Sequence, residues 1–182
     1  GKYIYFSSNR SGNFDIWRIK VTGGGGITRI TSHDNRDFAP DVSHDGKYIA
    51  FIQNDRLSLI NTYTRKQKVI SPKGKTANYP QWSPDSKKLL YQSENIFVYY
   101  TENKETLQYE ALLSPSWSPN SKYIIGHKNY VQNMQFNGSD LFIIDIENNN
   151  TKRLTSTESV HEMHASFVHN NEIIFDTYTG KS

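Results

Sequence analysis

The amino-acid sequence predicts an all-β fold, a β-propeller of four-stranded antiparallel blades, from three observations. One phrase recurs as Gly1-Lys2-Tyr3-Ile4-Tyr5-Phe6, Gly46-Lys47-Tyr48-Ile49-Ala50-Phe51, Ser86-Lys87-Lys88-Leu89-Leu90-Tyr91, Ser121-Lys122-Tyr123-Ile124-Ile125-Gly126 and, shortened, Asn171-Glu172-Ile173-Ile174-Phe175. A second phrase precedes four of these copies: Ala39-Pro40-Asp41-Val42-Ser43, Tyr79-Pro80-Gln81-Trp82-Ser83, Ser114-Pro115-Ser116-Trp117-Ser118 and His164-Ala165-Ser166-Phe167-Val168. Finally, 12 Tyr, 9 Phe and 3 Trp sit in a polar chain with 11 Gly and 6 Pro, and no stretch holds a helical apolar period. The copies start at 1, 46, 86 and 121, with the fifth near 171. That is close to the roughly 40-residue spacing of four-stranded blades.

Each unit divides into four strands. The first is the phrase with proline, a residue that can open a strand but not sit inside a central one. A tight turn follows at Asp45-Gly46, Asp85-Ser86 or Asn120-Ser121, and such pairs are strong hairpin signals. The second strand is the Tyr-Ile-x-Phe run. The third covers Phe14 to Ile19, Leu57 to Ile60, Ile96 to Tyr99 and Leu141 to Ile146, and the fourth Ile27 to Ile30, Gln67 to Ile70, Thr106 to Tyr109 and Lys152 to Leu154. Alternating positions common to the units give the expected core: Tyr5, Ile16, Trp17, Val42, Ile49, Phe51, Trp82, Leu89, Tyr91, Trp117, Ile124, Phe142, Ile144, Phe167 and Ile174.

Composition excludes several classes of function. The charge of +3, from 21 Lys and Arg against 18 Asp and Glu, is too mild and evenly spread for a nucleic-acid interface. Cysteine is absent, which removes disulfides, thiolate metal sites and cysteine nucleophiles. No apolar run approaches the ~18 residues of a spanning helix, so no direct membrane insertion is expected. There is no Gly-x-Ser-x-Gly elbow of a serine hydrolase. Gly23 to Gly26 lacks the Lys-Ser/Thr of a phosphate loop and reads as a turn between the third and fourth strands.

Asp37 to Phe51 and Pro80 to Tyr91 closely resemble the repeat of TolB-like propellers, Phe6 to Trp17 is similar to that family's link from second to third strand, and Arg29-Ile30-Thr31 to its fourth strand. The resemblance covers almost the whole chain. It implies one propeller domain or fragment over 1–182, with units at 1–36, 37–76, 77–111, 112–160 and 161–182, about four and a half blades of a propeller that typically has six. It further implies a non-enzymatic scaffold in the periplasm or another extracytoplasmic space, whose protein partner is an envelope lipoprotein or a Tol-type membrane protein. The same repeat occurs in the substrate-gating propellers of prolyl-oligopeptidase-type peptidases and in metal-dependent oligogalacturonate lyases, so an enzyme or enzyme accessory is the alternative.

Asp34 and Asp37 precede the first strand of their unit, and Asn78 and Glu162 hold comparable places before theirs. In a propeller these lead-in segments gather at one rim of the channel, where polar groups from separate blades can meet a ligand. Asp34, Asp37, Asn78 and His164 are therefore expected to contact the partner. Residues 127–138 lengthen the connection between second and third strands of the fourth unit and read as an inserted loop, whose Tyr130 and Phe136 are expected to join the interface. His161, His164 and His169 are the densest histidine cluster. Residues three apart on extended chain face opposite ways, so neither a metal nor a cofactor is expected there.

Overall fold

The computed structural model describes residues 2–132, 135–157 and 160–179; the side chains of 132–136 lie outside that description. It divides into two compact units, one of residues 1–82, 86–93 and 98–106, the other of 83–85, 94–97 and 107–182. In chain order, β1 (Tyr3–Ser8), β2 (Asp15–Lys20) and β3 (Thr28–Arg29) form a three-stranded sheet. β4 (Asp37–Val42), β5 (Tyr48–Gln53), β6 (Arg56–Asn61) and β7 (Gln67–Val69) form a four-stranded antiparallel meander, as do β8 (Asn78–Trp82), β9 (Lys88–Gln92), β10 (Ile96–Tyr100) and β11 (Thr106–Tyr109). β12 (Leu113–Trp117), β13 (Tyr123–Gln132), β14 (Gln135–Asp145) and β15 (Asn150–Arg153) repeat the pattern. β16 (His161–His169) pairs with β17 (Glu172–Tyr178) and touches β14 in parallel at Ser139 and His161. The second and third repeats are each a four-stranded sheet, whereas the strands of the fourth and fifth units join in one six-stranded sheet.

The turns explain the recurrence of the phrases. In the first unit, Ser43 Oγ donates to Asp45 Oδ1 (2.7 Å) and accepts from the Tyr48 N–H (3.0 Å). In the second, Ser118 Oγ donates to Asn120 Oδ1 (2.7 Å) and accepts from the Tyr123 N–H (2.9 Å). One hydroxyl and one carboxylate or amide thus close each hairpin locally. The same turns reach forward by one repeat: the Asp45 N–H donates to Ser86 Oγ (3.0 Å), Asp85 N–H to Ser121 Oγ (3.0 Å), and Asn120 N–H to Asn170 Oδ1 (3.0 Å).

The core follows the alternation. Ile16, Ile49, Phe51 and Ile60 pack together in the first unit, joined by Tyr5, Ile30 and Val42. Ile125, Leu141 and Ala165 form a second cluster with Phe167, Ile173 and Phe175. Ile174, expected inside, is 63% exposed. The fifth copy of the phrase is one residue shorter, and a single-residue change of register turns every side chain of a strand to the other face. Its inward residues are Ile173 and Phe175. The expected inserted loop is corrected as well: β13 and β14 stay paired in one long ladder from Tyr123 opposite Asp145 to Gln132 opposite Gln135, with a bulge between Tyr130 and Val131. Gly126 stands where the other units have an aromatic. A Cβ there would lie 2.7 Å from the Leu113 carbonyl, so glycine admits the close approach of β12.

Candidate functional site

A backbone device recurs at each lead-in. Ala39, Tyr79, Ser114 and His164 hold φ of 50°, 50°, 47° and 50°, in the left-handed region that side chains rarely adopt. At each, the ladder to the next strand slips: between Phe38 and Asp41, Asn78 and Gln81, Leu113 and Ser116, Met163 and Ser166. These are β-bulges, which bend a strand and re-aim its side chains. The residue two before each bulge turns inward: Asp37, Ala77, Leu112 and Glu162 are all buried. The bulged residue itself or the one before it turns outward in three of the four, with Tyr79 68% and Leu113 45% exposed and His164 also exposed. Asn78 is half-buried and is level with Phe38 rather than Asp37.

The first unit builds a polar nest beneath its lead-in. Asp37 is 0% exposed, which corrects the expectation of a surface carboxylate; its neighbour Asp34 is exposed. Gln53 Nε2 donates to Asp37 Oδ1 (3.2 Å), and His33 Nε2 lies 3.3 Å from Oδ2. Burial pushes the Asp37 carboxyl above its ordinary value, against the opposing hydrogen bonds from Thr31 and Gln53. Nearby, buried Asp15 pairs with Arg29 Nη2 at 2.5 Å, while Arg29 Nε donates to the Thr31 carbonyl (2.9 Å) and Thr31 Oγ1 accepts from the Ile16 N–H (2.9 Å). The second unit repeats this clamp: Arg153 pairs with buried Asp140, Arg153 Nε donates to the Thr155 carbonyl (2.7 Å), and Thr155 Oγ1 accepts from the Leu141 N–H (2.9 Å). These Asp–Arg–Thr clamps escaped the sequence reading, although Arg29-Ile30-Thr31 and Arg153-Leu154-Thr155 spell them out.

In the second unit the histidines part company. His161 stacks on Tyr178, with ring centres 5.7 Å apart. His164 lies 3.2 Å from Asp176 Oδ2 and meets the buried His127 ring edge-on at 5.7 Å. Burial, and then the His164 ring, hold the His127 imidazole below its ordinary value. His169 is exposed. Among the described residues no three His, Asp or Glu side chains are placed to share a metal ion. Tyr130, half-exposed, lies under the Arg153 guanidinium (5.5 Å) and hydrogen-bonds Asp140 beside a polar cavity of about 350 Å³. Phe136 lies outside the described side chains.

Comparison with known proteins supports the fold. No family model matches the chain. It is 30% identical to an uncharacterized protein of Agrobacterium fabrum over 50% of this chain and 36% of that relative. Among solved structures, it is similar to TolB from Acinetobacter baumannii (TM-score 0.62, 18% identity, 97% of this chain and 48% of that one). It is also similar to an oligogalacturonate lyase in complex with manganese (TM-score 0.77, 13% identity, 100% of this chain and 57% of that one). The chain thus spans little more than a third of the curated relative and about half of each structure. At these identities the likeness shows the fold alone: a propeller of the TolB type.

Proposed function

We propose that this chain is a non-enzymatic binding scaffold, which engages a protein partner through the bulged lead-ins of its blades. The observation that carries the reading is the repeated bulge. It fixes an outward aromatic, aliphatic or imidazole side chain (Tyr79, Leu113, His164) on a rigid ladder, where ordering on contact costs little entropy. Asn78 adjoins Tyr79 and Asp34 precedes the first lead-in, adding amide and carboxylate groups that suit basic or amide-donating groups on the partner. Asp37 shapes the lead-in from beneath. Tyr130 and Phe136, on the long hairpin, form a second contact. By likeness to TolB, the partner is an envelope lipoprotein or a Tol-type membrane protein, and the compartment is the periplasm.

The test uses a purified envelope lipoprotein as ligand. Asp34→Lys combined with Tyr79→Ala should weaken binding about tenfold while leaving the thermal midpoint in place, because exposed side chains contribute little to stability. Undiminished binding by this variant, with loss in Tyr130→Ala, would move the working surface to the hairpin. One observation favours the enzyme reading: His164 pairs with Asp176 and meets the His127 ring in a fold shared with a manganese-bound lyase, although the three are not placed to share one ion. Calorimetric titration with manganese should nevertheless show no site tighter than about micromolar. A stoichiometric tight site lost in His164→Ala would put the lyase chemistry first.

A further inference from the structure

The departures of the second repeat from its successors gather at one place. Val42 stands where later repeats have Trp82, Trp117 and Phe167; His44 stands where the next two have Pro84 and Pro119; Gly46 stands where they have Ser86 and Ser121. All three line a cavity of about 600 Å³ in the first unit, within the size range of small-molecule sites. The cause is a missing ring. Trp82 stacks on Tyr48, with centres 6.1 Å apart, and the counterparts of that pair one repeat earlier are Val42 and Tyr3. Valine cannot cover Tyr3. The Arg18 guanidinium lies there instead, 4.3 Å above the Tyr3 ring, and its Nε is buried with no hydrogen-bond partner.

The cavity's charge has one sign. Lys2 and Arg18 line it beside His44, no Asp or Glu does so among the described residues, and Tyr3, Tyr5 and Tyr63 supply flat aromatic walls. A buried guanidinium nitrogen without an acceptor is costly, and a planar fork without a carboxylate in a cationic pocket is suited to receive one. We infer that the cavity binds a small aromatic carboxylate. The ring occupies the place that Trp82 fills one repeat later, and the carboxylate accepts hydrogen bonds from Arg18, with Lys2 adding attraction.

Indole-3-acetate is the probe, because it joins the absent ring to a carboxylate, and indole and acetate are its halves. By isothermal titration, indole-3-acetate should bind with a Kd of ~1 mM or below, about tenfold tighter than either half. Arg18→Gln should lose about tenfold of that affinity, and added salt should weaken what remains. Val42→Trp fills the cavity with the side chain that the repeat itself uses, so it should fold, keep or raise the thermal midpoint, and abolish binding. Equal affinity for indole-3-acetate and acetate, or a folded Val42→Trp protein that binds like the parent, would overturn the inference.

Discussion

Val42 and Trp82 end the first strands of successive repeats, yet one leaves a cavity and the other closes it. Around Trp82, 3% exposed, the stack on Tyr48 and the bond from the Trp82 backbone N–H to Asp41 Oδ2 (2.6 Å) fill the space between neighbouring strands. Around Val42 the same backbone meets a guanidinium, three tyrosines and open volume. Repetition therefore fixes the backbone while leaving each junction free to be packed for stability or left open for a ligand. The cost of mutation should follow that division.

The largest effect is expected at the filled junction. Trp82→Ala should cost about 3–5 kcal/mol and Val42→Ala only about 1 kcal/mol, read as shifts in denaturant midpoint. Equal losses would erase the contrast. Gly126→Ala tests the tightest lead-in of all: with the Leu113 carbonyl 2.7 Å from the new methyl, the strand must shift, at about 1–3 kcal/mol. The turns differ more gently. Gly46 holds φ of 71° and Ser86 60°, so Gly46→Ala should cost about 1 kcal/mol. Ser86→Gly, which relaxes the backbone but loses the bond from Asp45, should change the thermal midpoint little.

The smallest expected effect is a pH dependence. Burial raises the Asp41 carboxyl in the folded chain above its ordinary value of 3.8, against the bonds from Trp82 and Val42. Its contribution to stability is then full below that value and is lost as pH rises through the raised one. Asp41→Asn should flatten this decline in urea midpoints measured from acid to neutral pH. Asp37, raised by burial in the same direction, carries the part that remains. A decline as steep as the parent's would show that Asp41 is not the group involved.

The strands and blades were legible because two phrases recur in step and because a strand's period of two is simple to read. Parity is fragile, and that is where the reading failed: one deletion before Ile173 sent Ile174 outward. The buried carboxylate of Asp37 was illegible for another reason. An acidic residue before a strand looks like a loop cap, and only the bulge two residues later, set by backbone dihedrals rather than by residue type, turns it inward. Four different residues, Ala39, Tyr79, Ser114 and His164, hold that conformation, so the residue at the bulge does not itself announce it, although a proline follows in three of the four. The long hairpin was hidden because the lengthened connection of residues 127–138 reads as an inserted loop, whereas the ladder goes on to pair Asn129 with Ser139 and Tyr130 with Gly138.

The bulges also govern how the sheets can meet other chains. β4, β8 and β12 each lie at the edge of their sheets, where an unbroken strand would offer a row of free amides and carbonyls to any extended peptide. A left-handed residue near the middle of each breaks that row into pieces too short to template a new strand. Incoming chains are thereby denied the nonspecific grip of backbone pairing, which guards these edges against aggregation. Recognition is left to side chains, and so to sequence.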